Sequence, residues 1–239
     1  MKKLLAILLA FISLNSFSQK WETIKGNGET KKETREVSSF TSINAQGPME
    51  IKIDYGNSGT ISVEADENLL PYIETTVEDG RLSIKPKKNV NLKSRSGIVV
   101  YVSMTQIKSL KLSGSGNISG SGAFTNDATT DFSVSGSGNL SLDFDTFKEL
   151  DLSISGSGNI KLKGASSMIS AKISGSGNID CSNTSSNDVV ATVSGSGNIK
   201  VYANNSIDAQ ISGSGNVFFK GNAQKINRKM SGSGKVVKM

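Results

Sequence analysis

Leu112-Ser113-Gly114-Ser115-Gly116-Asn117-Ile118 is an apolar residue, a Ser-Gly-Ser-Gly run, an asparagine and a second apolar residue, and the chain spells this phrase seven times. The leading serines are Ser113, Ser135, Ser155, Ser174, Ser194, Ser212 and Ser231, separated by 22, 20, 19, 20, 18 and 19 residues. Only the seventh copy departs, with Lys235 in place of asparagine. A period of about 20 residues predicts a solenoid. A coil that short cannot bury its own apolar face, so its stability must come from stacking on the next coil.

Counting from each leading serine, fixed positions form columns. The position before it holds Leu112, Val134, Ile154, Ile173, Val193, Ile211 and Met230. Two residues earlier stand Leu110, Phe132, Leu152, Ala171, Ala191, Ala209 and Arg228, a column whose side chains shrink toward the C-terminus and predict a tapering core. The position after the asparagine holds Ile118, Leu140, Ile160, Ile179, Ile199, Val217 and Val236, and the residues between are mostly polar. Period 2 of this kind reads as strands with one face buried. The fold class expected is all-β: a right-handed parallel β-helix with coils of about 20 residues, and rungs ~4.7–4.9 Å apart give a rod of about 30 Å.

If the alternation runs on through the motif, both glycines point inward and both serines and the asparagine point out. Glycine suits a tight corner because it needs no interior room and tolerates unusual φ. The outward set is then Ser115, Asn117, Ser137, Asn139, Ser157, Asn159, Ser176, Asn178, Ser196, Asn198, Ser214 and Asn216. Asparagine columns can hydrogen-bond from rung to rung, as they do in cross-β assemblies. Two readings follow: a repeated corner with satisfied ladders, or a ligand-facing polar stripe.

Outward from the repeats, the pattern loosens. Ile51, Ile53 and Tyr55 alternate, as do Ile61, Val63 and Ala65, Leu82 and Ile84, and Val100 and Val102, all bounded by Gly, Asn and Asp. These are strands joined by turns. Asp66 to Tyr72 can hold one helical turn, residues 85–96 read as a mobile loop, and residues 19–36 read either as a frayed arm or as a segment folded over the open end of the solenoid. Lys2-Lys3, the apolar run Leu4 to Leu14 and Ser16-Phe17-Ser18 have the form of a secretory leader over residues 1–18, with the mature chain starting at Gln19. No later run approaches the ~20 apolar residues of a membrane span.

Apolar residues other than glycine make up 36% of the chain and aromatics only 6%, so large side chains are few, which suits a thin core. The formal charge of +6 falls to +4 once Lys2 and Lys3 are removed, a mild excess that calls for no nucleic-acid partner. Cys181 is the single cysteine, so no internal disulfide is available, and its place in an apolar column reads as a small buried filler.

The repeats resemble the head GIN domain family (DUF2807), an adhesin-labelled family. Arg35-Glu-Val-Ser-Ser-Phe-Thr-Ser-Ile43, Glu50-Ile-Lys-Ile-Asp54, Ile61-Ser-Val-Glu-Ala-Asp-Glu-Asn-Leu69 and Ile73-Glu-Thr-Thr-Val-Glu-Asp-Gly-Arg-Leu-Ser-Ile84 stand in that family's order. The likeness covers about residues 35–239. It implies a parallel β-helix in an exported bacterial protein, commonly of the Bacteroidetes, and it brings no catalytic residues. The domain expected is 19–239, with N-terminal strands over 35–105 and the seven repeats over 106–239.

Function classes narrow accordingly. With no histidine, His-based triads and His metal sites are excluded. Gly114-Ser-Gly116 is not a dinucleotide fingerprint, since its third glycine is misplaced and no helix follows. No catalytic residue, cofactor or metal is assigned. The function expected is an exported non-catalytic β-solenoid, an adhesin or a cell-envelope binding or structural protein, periplasmic or extracellular, with a glycan or a surface protein as partner. The alternative is a polysaccharide-active enzyme using Asp131, Asp143, Asp145, Glu149 and Asp151, because carboxylates ~5 to ~9 Å apart can support glycoside hydrolysis. An open solenoid end would also leave unpaired strand edge, from which a homodimer is expected.

Overall fold

Each motif closes one strand at its first glycine and opens the next at its asparagine. Asn139–Gly156, Asn159–Gly175 and Asn178–Gly195 are each nearly a whole coil in one bent strand. The computed structural model describes residues 21–239, and the leader expected over 1–18 lies outside the described residues. Successive coils pair in parallel with the columns in register: Ile154 on Ile173 on Val193, and Leu140 on Ile160 on Ile179. The chain is thus a parallel β-solenoid.

The column does shrink from Phe132 and Leu152 to Ala171, Ala191 and Ala209, but the core as a whole does not taper, since Phe219 is fully buried near the C-terminal end. At the N-terminal side the core holds Phe124, Phe132, Phe144 and Phe147, with Phe144 stacked on Phe147 at 4.3 Å and Phe132 edge-on to it at 6.0 Å. Further on, Ser166, Thr184 and Ser186 are buried beside Ala171, Ala191 and Ala209. Ser166 Oγ donates to the Met168 carbonyl and Ser186 Oγ to the Tyr202 carbonyl, which offsets the cost of burying those two hydroxyls, while Thr184 Oγ1 finds no partner among the described residues.

The N-terminal half extends the same solenoid, but not in chain order. Ser42–Gln46 pairs in parallel with Ser109–Gly114 on one side and with Arg81–Pro86 on the other. Glu50–Tyr55 likewise lies between Asn117–Ser121 and Val99–Met104. The rung laid down first is therefore second in space, and the rung made by residues 81–104 sits outside it.

Beyond that rung the pairing turns antiparallel. Thr60–Asp66 lies on Val99–Met104, Ile73–Glu78 on Arg81–Pro86, and Thr30–Glu36 forms the rim against Thr60–Asp66. The rim strand reads Thr-Lys-Lys-Glu-Thr-Arg-Glu, and such charge on an edge discourages pairing with other chains. Of the two expectations for residues 19–36, the described part thus follows the second and folds over the end. The helical turn is a 3-10 helix over Glu67–Tyr72.

Residues 85–96 do not form a mobile loop. Lys87 to Val90 is a turn in which the Val90 N–H donates to the Lys87 carbonyl at 3.1 Å, and Val90–Lys93 pairs in parallel with Glu22–Lys25. The sequence hides this because a four-residue strand with two buried side chains, Val90 and Leu92, carries almost no periodic signal.

Asp66 staples this region together. Its buried carboxylate accepts the Gly28 N–H at 2.7 Å, the Arg95 N–H at 3.0 Å and the Ser94 hydroxyl. Burial pushes its pKa up, but the hydrogen bonds from Ser94, Arg95, Gly28 and Ser96 outweigh burial and hold it at about 2, below an ordinary value of 3.8. A depressed folded pKa means the contribution is complete above the unfolded value and disappears as pH falls through the folded one. Thermal midpoints of the wild type and Asp66→Asn should therefore differ most above pH ~4 and converge toward pH ~2. A constant difference across that window would show that the charge is not what holds residues 28 and 95.

The opposite end is built differently. Lys225–Gly232 and Lys235–Lys238 form an exposed terminal rung, with Ile226, Met230 and Val237 uncovered. Here Arg228 stands on Ala209 and Lys238 on Phe219, so two cations occupy positions that are apolar core in the rung before. With Lys225, Lys229 and Lys235 they give this rung a single sign of charge.

Candidate functional site

The corner geometry decides what the motif can do. The first glycine of each copy is left-handed, with φ of +112° at Gly136, +123° at Gly156 and +131° at Gly175. That conformation presents its carbonyl to the next corner: Gly136 O accepts the Ser157 N–H at 2.9 Å and the Gly158 N–H at 3.0 Å. A Cβ on Gly156 would lie 2.5 Å from the Gly136 oxygen, so its direction is along the rod. This corrects the expectation that both glycines point inward. Only the second glycine is buried, and alternation fails at the first because a positive φ turns the chain there.

Outside the corner, the asparagines form an unbroken ladder. The side-chain amide of Asn139 donates to Asn117 Oδ1 at 2.9 Å, Asn159 to Asn139 at 2.7 Å, Asn178 to Asn159 at 3.0 Å, Asn198 to Asn178 at 3.1 Å and Asn216 to Asn198 at 3.0 Å. The Lys235 N–H closes it on Asn216 Oδ1 at 3.1 Å, which explains why the seventh copy needs no asparagine. Every Oδ1 of the column points the same way, so the ladder carries a net dipole. Glu50 stands in register at its N–H end and Lys235 at its oxygen end, the signs that favour each. The column of Ser115, Ser137, Ser157, Ser176, Ser196 and Ser214 lines the outside of the corners; from Ser137 to Ser214 each backbone N–H bonds the glycine carbonyl of the preceding corner, while the hydroxyls make no rung-to-rung bonds among the described residues.

The carboxylates of the enzymatic alternative lie on exposed strand faces. Asp131 and Asp151 are register neighbours, but Asp131 is paired with Lys111 at 3.0 Å, Asp143 with Lys163 at 3.5 Å, and Glu149 accepts the Thr129 hydroxyl at 2.9 Å. No cluster of three or more Cys, Asp or Glu suited to a metal occurs among the described residues. Cys181 is fully buried, and burial, with the nearby Asp180 charge, pushes its thiol far up. It packs as a filler.

The concavity that sequence reading missed lies where the N-terminal segment meets the first corners. A cleft of about 610 Å³ is lined by Trp21, Gln46, Gly47, Glu74, Lys85, Pro86, Lys87, Lys88, Asn89, Val90, Ser113 and Gly114. Trp21, the sole tryptophan, is 63% exposed there. The Glu22 N–H donates to the Asn89 carbonyl at 2.9 Å and fixes Trp21 beside the Lys87–Val90 turn, while the Lys87 N–H donates to the Tyr72 carbonyl at 2.9 Å. Lys85 pairs loosely with Glu74 at 3.8 Å, and Lys87 stands 5.8 Å from the Tyr72 ring centroid. The signals available in the chain were the lone tryptophan and the run Lys85-Pro-Lys-Lys88. Their meeting depends on pairing between residues about seventy apart, which no local pattern encodes.

The family model described as "Putative auto-transporter adhesin, head GIN domain" (DUF2807) matches residues 39–223. Among solved structures, a "putative adhesin" from Bacteroides fragilis superposes with a TM-score of 0.81 at 21% identity, covering 90% of this chain and 100% of that one. A "Putative lipid binding protein" from Parabacteroides distasonis gives 0.76 at 26%, covering 91% and 100%. A "putative adhesin" from Parabacteroides merdae gives 0.69 at 24%, covering 91% and 99%. No curated protein matches the chain.

Proposed function

Given that the chain belongs to the DUF2807 head GIN domain family, we propose that it is an exported, non-catalytic binding module of the cell envelope that holds a glycan or a surface protein. The observation that carries this reading is Trp21, a large aromatic left 63% exposed over a cleft, while the phenylalanines of the aromatic cluster are buried. An exposed aromatic beside a few placed polar groups is the usual make-up of a recognition site. The asparagine amides bond one another and so have less capacity for a ligand, and of the carboxylates Asp131 and Asp143 pair with lysines while Glu149 accepts a threonine hydroxyl. In this reading the ladder holds the corners together and the N-terminal end of the rod does the binding. No helix among the described residues is long and apolar enough to cross a membrane.

The test is a glycan array and a pull-down from envelope fractions with residues 19–239, alongside a Ser115/Asn117/Ser137/Asn139→Ala variant. Binding by the wild type that survives in the variant is the expected result. Loss in a folded variant would move recognition to the ladder. Blank results in both assays would overturn the binding reading.

A further inference from the structure

We propose that the Trp21 cleft binds an acidic saccharide, the sugar ring lying on the indole and its carboxylate or phosphate held by Lys85, Lys87 and Lys88; this deepens, and rests on, the binding-module reading. Four observations converge. The cleft's volume of about 610 Å³ falls within the ~300–1,000 Å³ typical of small-ligand pockets. Leaving an indole in water forgoes the gain of burying it, which a pyranose face packed on the ring would recover. Three lysines face one acidic residue, Glu74, and Lys88 has no carboxylate at ion-pairing distance among the described residues. An anion that enters therefore meets an excess of positive charge.

The rest of the lining is mixed: Gln46 and Ser113 can meet hydroxyl groups, and Pro86 and Val90 the apolar face of a sugar ring. The site is also preorganised. Asn89 is one of two non-glycine residues with positive φ among the described residues, at 63°, and the turn it occupies is tied to Glu22 on one side and Tyr72 on the other. A lysine pair held on such a turn loses less freedom on binding than lysines on a free loop.

Because Trp21 is the only tryptophan, its emission reports the cleft and nothing else. Residues 19–239 should be titrated with tetragalacturonate, mannose 6-phosphate and neutral maltotetraose, following fluorescence and, in parallel, heat of binding. The expected result is a saturable emission change with at least one acidic sugar, weaker by about tenfold for maltotetraose and weakened by added salt. In K85Q/K87Q/K88Q the dissociation constant should rise about tenfold or more with the thermal midpoint unchanged, since these side chains are on the surface. Equal response to the neutral sugar, an unchanged constant in the triple variant, or no saturable response to either acidic probe would overturn the proposal. If the glycan array is positive and the triple variant keeps that binding, the module reading stands and this site falls. If envelope proteins are captured while the acidic sugars give no emission change, the partner is a protein and this site falls as well.

Discussion

Gly177→Ala should lower the stability of the solenoid by about 3 kcal/mol, although it adds a single methyl group to a corner at the surface. The second glycine of each motif lies over the preceding corner. A Cβ on Gly177 would sit 2.3 Å from the Gly158 oxygen and 2.7 Å from Ile154 Cγ2. The nearest atom is backbone that accepts the Asn178 N–H at 3.1 Å, so it cannot retreat without opening the rung-to-rung hydrogen bonds. The chain contains its own control. In Gln46-Gly47-Pro48-Met49-Glu50, the corner that pairs with Ser113 to Asn117, Gly47 is left-handed at +93° and Met49 fills the second-glycine position, 1% exposed. A side chain is accepted there because the rung beneath has no corner at that place: the chain leaves it after Pro86 and returns at Val99. The measurement is a urea midpoint for Gly177→Ala beside Ser176→Ala in the same corner, which should stay within about 0.5 kcal/mol of the wild type. Equal midpoints for both would mean that the corner backbone gives way easily.

Phe147→Ala should cost about 4 kcal/mol, the larger of the two effects. Its ring is fully buried and is gripped by Phe144 at 4.3 Å and by Phe132 at 6.0 Å, so truncation opens a cavity and removes two ring contacts. Neighbouring rungs cannot collapse into that space, because their spacing is set by backbone hydrogen bonds. Phe147→Leu refills most of the volume and should recover more than half of the loss. In a solenoid the damage should also be local: hydrogen exchange should speed up first over residues 124–154 and least near 206–220. Uniform acceleration along the rod would show that the chain unfolds as one unit.

The solenoid, its period and the shrinking core column were legible in residues 107–239, because every coil repeats one local task. An apolar residue must face in, a glycine must turn, and another must yield to the backbone below. Identical demands write identical letters, so Ser113 to Ser231 mark the corners without reference to anything distant. Asn139 and Asn159 were legible as a column for the same reason, though only the structure showed their amides bonded to each other at 2.7 Å. The first half of the chain was legible as strands but not as an arrangement. Gln46 to Glu50 performs the same turn with Pro48 and Met49, a phrase that no search for Ser-Gly-Ser-Gly would find, since the absent corner beneath relaxes the demand for glycine. The reversed order of the first two rungs, the Asp66 staple and the Trp21 cleft all arise from pairing between segments whose sequences do not resemble one another. Such contacts are selected by shape and unsatisfied hydrogen bonds in three dimensions, and one-dimensional periodicity carries no record of them. Local repetition specifies the rod; pairing between distant segments sets how its N-terminal end is closed and where the Trp21 cleft forms.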